Sequence, residues 1–283
     1  MTLPRFSPES DPGPDFLALL GELNRLPNWD TSAIDPSKIM HGTTVVAIQT
    51  VDGVVMAGDR RATSGHLISH RTIEKVFPAD EHSGVAIAGA AGPAMEMVRL
   101  FQLQIEHYEK VEGRPLSLEG KANQLSQMLR NNLPAALQGL GVVPIFAGFD
   151  EKLKKGRLFE FDITGGRYEE RDFAASGSGS LHASTVLKLR HNGKLSPSEG
   201  IDLAIEALFL AADEDSATGG PDTIRGIYPV VAVIDSNGEI NKLRITFHNN
   251  GFTSITLLSD KNSFKYFLIS HQLVVSGVPR LTN

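Results

Sequence analysis

His41-Gly42-Thr43-Thr44-Val45-Val46-Ala47-Ile48 sets a glycine–threonine junction directly against a β-branched, apolar run. The run continues to Thr50, meets the turn signal Val51-Asp52-Gly53 and resumes as Val54-Val55-Met56-Ala57. Two such runs around an Asp-Gly turn predict a β-hairpin over 45–50 and 54–57. The junction also has chemical content. Cutting between Gly42 and Thr43 would leave a threonine with both a hydroxyl and a free α-amine. A hydroxyl is a poor nucleophile until a base stands within hydrogen-bond reach, and a terminal amine is a base that threonine supplies itself. Such an amine has a reference pKa of roughly 7.7–8.0, so near neutral pH a useful fraction is unprotonated. Alone, a Gly-Thr pair is common and decides nothing.

Toward the C-terminus, short strands fit 66–69 and 84–88. Ala94, Met97, Val98, Phe101, Ile105 and Tyr108 recur at helical spacing, and Gly113 with Pro115 stops that helix. Ser117 is placed to cap a second helix striped by Leu118, Ala122, Leu125, Leu129 and Leu133, and the two helices should pack antiparallel. Strands fit 142–149, 157–163 and 168–175, with Gly165-Gly166 turning between the last two. Two more helices fit 181–189 and 198–212, and a strand fits 228–234 before Ser236-Asn237-Gly238. This order is not the βαβ alternation of a parallel doubly wound sheet. Two stacked antiparallel sheets with helices on each outer face would accommodate it.

Composition narrows the class. The chain has 283 residues, 41% hydrophobic and 21% charged, with a net charge of −6. That suffices for one large or two ordinary domains. The acidic balance offers no broad basic footprint for nucleic acid. No apolar stretch reaches the ~18 residues that a membrane span needs, and Phe16-Leu17-Ala18-Leu19-Leu20 is too short for a signal segment. Cysteine is absent, which removes disulfide scaffolds, thiolate catalysis and thiolate zinc sites together. Gly177-Ser178-Gly179-Ser180 lacks the Gly-Lys-Ser/Thr of a phosphate loop. There is neither a Gly-x-Ser-x-Gly elbow nor a His-Glu-x-x-His, and His66 with His70 makes an unconvincing metal pair. No metal and no organic cofactor is expected, and the expected location is cytoplasmic.

Further signals stand in order after the junction. Asp59 and Lys75 lie 16 and 32 residues beyond Thr43, in Gly58-Asp59-Arg60-Arg61 and Glu74-Lys75-Val76-Phe77. Gly177-Ser178-Gly179 and Asp215-Ser216-Ala217-Thr218-Gly219-Gly220 follow. The combination resembles the catalytic β-subunits of 20S proteasomes, the N-terminal-nucleophile threonine peptidases, with spacing nearest the actinobacterial type. The likeness runs from about Thr43 to Asp235. It implies an α+β fold, the four-layer αββα sandwich of N-terminal-nucleophile hydrolases, for a catalytic domain over 43–240.

The resemblance also implies roles. Thr43 would be the nucleophile, freed when its own hydroxyl attacks the Gly42 carbonyl. Lys75 would be the cation nearest that hydroxyl and Asp59 would orient it, whereas outside the family the two would read as an ordinary surface ion pair. Gly89 would give its backbone N–H to the oxyanion hole, besides serving as a turn glycine. Ser178, Asp215 and Thr218 match positions that hydrogen-bond the threonine, with Thr218 standing where many relatives carry serine. Ala62, Ile73, Phe77, Ile87, Ala91 and Met95 match the primary specificity pocket; all are apolar, as core residues would also be, and imply a chymotrypsin-like taste for bulky apolar residues. Expected partners are proteasome α-subunit rings and other β-subunits in an α7β7β7α7 28-mer, and an AAA ATPase activator. Expected substrates are unfolded proteins carrying a ubiquitin-like tag.

Residues 1–42 are unlike the rest. Pro4, Pro8, Pro12 and Pro14 precede a short amphipathic stretch over 16–26 and a turn-rich segment through Pro36. A flexible tail would look so, and so would a propeptide ending at Gly42; the junction favours the propeptide. Residues 241–283 depart from the family. They are apolar and strand-like, as in Ile255-Thr256-Leu257-Leu258 and Phe264-Lys265-Tyr266-Phe267, with no partner assignable from sequence. A genuine extension and a shifted reading frame both fit them. Three other functions share parts of this pattern. A simpler two-ring bacterial threonine peptidase is disfavoured by the ~40-residue leader, since its chains carry little or none. An N-terminal-nucleophile amidohydrolase of small amides is disfavoured by the apolar pocket and the Asp-Lys spacing. An inactive structural ring subunit is disfavoured by the retained threonine, lysine and processing glycine.

Overall fold

A computed structural model describes residues 40–238, 241–248, 252–258 and 266–268, with side chains over 42–238. The expected propeptide falls outside the described residues except at its end. There, a two-residue strand, β1 (Met40–His41), leads into the hairpin. β2 (Thr44–Gln49) pairs antiparallel with β3 (Gly53–Gly58), Val46 opposite Ala57 and Ile48 opposite Val55. β4 (Ala62–Ser64) and β5 (Leu67–His70) form a small sheet with β1. β6 (Val76–Asp80) and β7 (Ser83–Ala86) follow, then α1 (Ala91–Glu112) and α2 (Leu118–Asn131). Gly113 ends α1 in the left-handed conformation, and the Ser117 hydroxyl caps α2 by accepting from the Gly120 N–H.

The second half supplies β8 (Ile145–Asp150), β9 (Lys155–Phe161), β10 (Arg167–Glu170) and β11 (Phe173–Gly177). α3 (Ser180–Arg190) and α4 (Pro197–Glu214) come next, α4 opening on a Ser196–Glu199 capping box. β12 (Val230–Asp235), β13 (Asn241–His248), β14 (Phe252–Leu258) and β15 (Tyr266–Leu268) complete the described chain. One sheet has the order β11-β2-β3-β12-β13-β14-β15 and the other β10-β9-β8-β7-β6.

Alternation along the strands explains the layers. Val45, Ala47, Val54 and Met56 meet Ala86, Ile145, Ala147 and Leu158 between the sheets. Their neighbours Val46, Ile48, Val55 and Ala57 face the other way, onto Ala183, Leu187, Ala204 and Leu208 of α3 and α4. On the opposite outside, Phe146 and Phe159 pack under Phe101 and Ile105 of α1 and Leu125 and Leu129 of α2. Phe101 meets Phe146 edge-on at 5.8 Å between centroids. Truncating such a ring to alanine costs about 3–5 kcal/mol. The result is the four-layer αββα sandwich.

Several boundaries differ from the sequence expectation. The single strand expected over 168–175 is two strands in two sheets, β10 on β9 and β11 on β2. The polar Glu169-Glu170-Arg171-Asp172 stretch lies at the crossing, and one straight strand cannot pair with both sheets. The strand expected from Val142 begins at Ile145, because Pro144 has no N–H to donate, and Val142 makes only an isolated bridge to Gly89. β4 and β6 are additional. The C-terminal segment does have a partner: β13 pairs with β12 and continues the hairpin sheet. Among the described residues, no helix is long and apolar enough to cross a membrane.

Candidate active site

β2 carries Thr43 at its entrance, and its two neighbours in the sheet bring the other groups to the same end. β3 pairs Gly58 with Val45, so Asp59, one residue past the strand, stands beside Thr44. β11 pairs Gly177 with Thr44, so Ser178 stands beside Thr43, and its N–H donates to the Thr43 carbonyl at 2.8 Å. Lys75 arrives from the other sheet, directly before β6. Asp215 is the C-terminal cap of α4, with Thr218 three residues on.

Asp59 is fully buried, and both of its oxygens are occupied. Oδ1 accepts from the Thr44 N–H at 2.8 Å and the Lys75 ammonium at 2.5 Å. Oδ2 accepts from the Arg61 and Gly219 N–H groups, each at 2.8 Å. Lys75, 2% exposed, has three N–H donors and three acceptors: Asp59, the Arg61 carbonyl at 2.6 Å and the Gly42 carbonyl at 3.2 Å. Burial pushes the Lys75 pKa below its ordinary value, while the Asp59 carboxylate pulls the other way.

The Gly42 carbonyl is the meeting point. The Thr43 hydroxyl donates to it at 2.7 Å, so two donors converge on the oxygen of the Gly42–Thr43 bond. Gly42 reaches this geometry at φ +120°, a conformation that L side chains rarely adopt. A Cβ there would lie 2.3 Å from Thr63 Oγ1.

Ser178 has one hydroxyl proton and two acceptors in range, Asp215 Oδ2 at 2.6 Å and the Thr43 carbonyl at 3.3 Å. The short, charge-assisted bond to Asp215 wins, leaving a lone pair toward the Thr43 N–H at 3.5 Å. Thr218 donates to the same Asp215 oxygen at 2.6 Å, and its Oγ1 lies 2.6 Å from Thr44 Oγ1. Burial alone would raise the Asp215 pKa, but donors from Ser178, Thr218 and the Ala217 N–H outweigh it and hold the carboxyl below its ordinary range.

A cavity of ≈ 360 Å³ opens against Thr43 and Lys75. Ala62, Ile73, Phe77, Ile87, Ala91 and Met95 all line it, joined by Gly89, Glu74 and the helix residue Ala94. Gly89 sits at φ +104°, with its surroundings so close that a Cβ would fall 2.2 Å from the Gly141 carbonyl. Its loop is pinned by Ala90 N–H to Gly141 and Val143 N–H to Ala88, at 2.8 and 2.9 Å. β1 runs antiparallel to β4, His41 opposite Thr63, so the chain approaches Gly42 along the cavity's edge. Among the described residues, no cluster of His, Asp or Glu is placed to hold a metal ion.

The sequence profile of the proteasome subunit family matches residues 39–226. The chain belongs to the proteasome subunit family. It is 57% identical over 240 residues to the proteasome subunit beta of Acidimicrobium ferrooxidans, covering 84% of this chain and 88% of that one. It is 59% identical over 207 residues to the proteasome subunit beta of Acidothermus cellulolyticus, covering 72% and 71%. With the proteasome subunit beta of Streptomyces griseus it shares 57% over 198 residues, 70% of each chain. The similarity is thus to β-type subunits of this family.

Other groups of the site had no sequence signal. Thr44, buried completely, supplies an N–H to Asp59 and a hydroxyl to Thr218, yet it reads as the first residue of a strand. The Arg61 carbonyl and the Gly219 N–H are backbone groups, which every residue type offers.

Proposed function

We propose that this chain is a catalytic proteasome β-subunit, a threonine endopeptidase that exposes its own nucleophile by cutting Gly42–Thr43. The observation that carries this is the convergence of the Thr43 hydroxyl and the Lys75 ammonium on the Gly42 carbonyl oxygen, beside an apolar cavity. In maturation, Thr43 Oγ bonds to the Gly42 carbonyl carbon and Lys75 stabilises the negative charge that develops on its oxygen. The Oγ proton passes to the Thr43 nitrogen as the C–N bond breaks, leaving an ester on Oγ and a free α-amine. Water hydrolyses the ester, giving a Gly42 carboxylate and a free Thr43.

In the mature site the α-amine takes the Oγ proton as Oγ attacks a substrate carbonyl, and gives it to the leaving amine. Asp59 keeps Lys75 charged and aimed; the Gly89 N–H receives the oxyanion. Ser178, held by the Asp215 carboxylate that Thr218 also bonds, orients the new amine. A substrate would replace β1 along β4 and place a bulky apolar side chain in the cavity, a chymotrypsin-like preference. In this reading residues 1–42 are a propeptide, and the subunit works in the cytoplasm in an α7β7β7α7 particle. An AAA ATPase delivers unfolded substrates bearing a ubiquitin-like tag.

The test is to co-express the chain with its α-subunit and determine the intact mass and N-terminal sequence of the assembled product. A terminus at Thr43, abolished by Thr43→Ala, is expected. Assembled rings that keep residues 1–42 would overturn the peptidase reading and leave a structural subunit.

A further inference from the structure

A second, much smaller cleft lies next to Asp59. Arg60, Arg61 and Arg71 line it with Gly219, Asp222 and Tyr228. Its one carboxylate is already engaged, since Asp222 accepts from the Arg225 N–H at 2.9 Å and from Arg225 Nη1 at 2.7 Å. The arginines are met by neutral backbone: Arg60 Nη2 donates to the Thr72 carbonyl and Arg61 Nη1 to the Ser216 carbonyl, each at 2.8 Å. Arg60 Nε is buried with no hydrogen-bond partner among the described residues. Three arginines lining one notch, one of them with an unmet buried donor, make it a place for an anion from outside.

Size and surroundings define that anion. At ≈ 30 Å³ the notch admits about the volume of one water molecule. That suits the end of one acidic side chain. Beside it, Asp222 and Ile227 close a loop through paired backbone hydrogen bonds at 2.8 and 2.9 Å. That loop holds Ile224 out at 93% exposure. An apolar anchor next to a cationic notch fits a protein surface better than a free ion. The chain itself is a rich source of carboxylates, with 33 Asp and Glu against 27 Lys and Arg.

On the ring reading under Proposed function, we propose that the Arg60–Arg61–Arg71 notch receives one carboxylate from a second copy of this chain, with Ile224 packing beside it. The consequence reaches the candidate active site. The Arg61 carbonyl accepts from Lys75, its N–H donates to Asp59, and the Arg60 carbonyl accepts from the Ile73 N–H. A carboxylate clamped on these guanidinium groups holds the segment that aims Lys75, so each site is completed by its neighbour.

Arg71 is exposed and touches none of the proposed machinery, which makes it the probe. Full-length Arg71→Lys is assembled with the α-subunit from an equal mixture of ¹⁵N-labelled and unlabelled copies. The particles are treated with a carbodiimide, which condenses an amine and a touching carboxylate into an amide with loss of water. The expected product is an amide from position 71 to an Asp or Glu of the other isotopic copy. Arg71→Glu should also lower the salt concentration at which the particles dissociate. An amide within one copy or to the α-subunit overturns the assignment. So does none at all when the Lys110–Glu106 pair in the same digest has coupled. N-terminal sequencing of that digest reports processing at Thr43 separately. Wild-type chain that never forms rings is recognised by size and ends both proposals.

Discussion

Gly42→Ala tests the self-cleavage geometry at a glycine whose backbone conformation the scissile carbonyl depends on. At φ +120° a new Cβ would lie 2.3 Å from Thr63 Oγ1 and 3.2 Å from the Ala217 carbonyl oxygen. The alanine chain therefore relaxes, and relaxation draws the residue-42 carbonyl away from Thr43 Oγ and Lys75 Nζ, now at 2.7 and 3.2 Å. Regaining the reactive arrangement costs roughly 1–3 kcal/mol, the usual penalty for a side chain in a sparsely populated backbone region. Since each ~1.4 kcal/mol is tenfold in rate, processing should slow by about 5–150-fold. The assay is the time course of intact mass after mixing with the α-subunit, wild type alongside. Adding Thr63→Ala removes the Oγ1 clash but not the backbone penalty, so the double variant should recover part of the loss. Once cut, the mature chain no longer contains residue 42, and its kcat/KM per processed site should equal that of wild type. Processing at an undiminished rate would refute the reasoning, as would an altered kcat/KM in the matured enzyme.

Lys75→Met removes one donor from the Gly42 carbonyl and strands Asp59 in the interior. Processing should stop, and unfolding should show a loss of about 3–5 kcal/mol, the cost of breaking a buried pair from one side; wild-type processing would contradict the assignment. The Asp215 pKa is lowered by folding, so its contribution is present above the ordinary aspartate range and lost as pH falls through the lower folded value. Activity lost between neutrality and the ordinary carboxylate range must then come from another group. Asp215→Asn should lower kcat without moving that limb of the pH profile, and a displaced limb would assign it to Asp215 after all. Thr218→Ser keeps both hydroxyl bonds and should leave activity near wild type. Thr218→Val leaves Asp215 and Thr44 each short of a partner, costing about 1–3 kcal/mol in thermal unfolding, and equal behaviour of the two variants would show those bonds to be idle. Ala91→Val narrows the cavity and should lower kcat/KM for bulky apolar residues relative to alanine by about 10–200-fold, read with a matched peptide series; an unchanged ratio would remove Ala91 from the pocket.

The sequence by itself determined what depends on near neighbours. The 45–57 hairpin, the two helix pairs and the caps at Ser117 and Gly113 follow from periodicity and turn chemistry within a few residues. The positions of Asp59, Lys75, Ser178, Asp215 and the pocket residues were legible through their order and resemblance to a family, with no statement of how they meet. Tertiary structure alone decided the rest. Only the pairing of β2 with β11 carries Ser178 to Thr43 across 135 residues of chain. Only the stacking of the second sheet brings Lys75 onto Asp59. β6 is not legible in the sequence because Pro78 interrupts its pattern, and 168–175 reads as one strand because its partition between two sheets is a property of both edges. The strands after residue 240 lacked a partner in sequence for the same reason: the edge that receives them, β12, exists only once the sheet has formed. Backbone groups that fill Asp59 and Lys75 are likewise invisible until folding places them, because every residue carries the same N–H and C=O and only position distinguishes one from another.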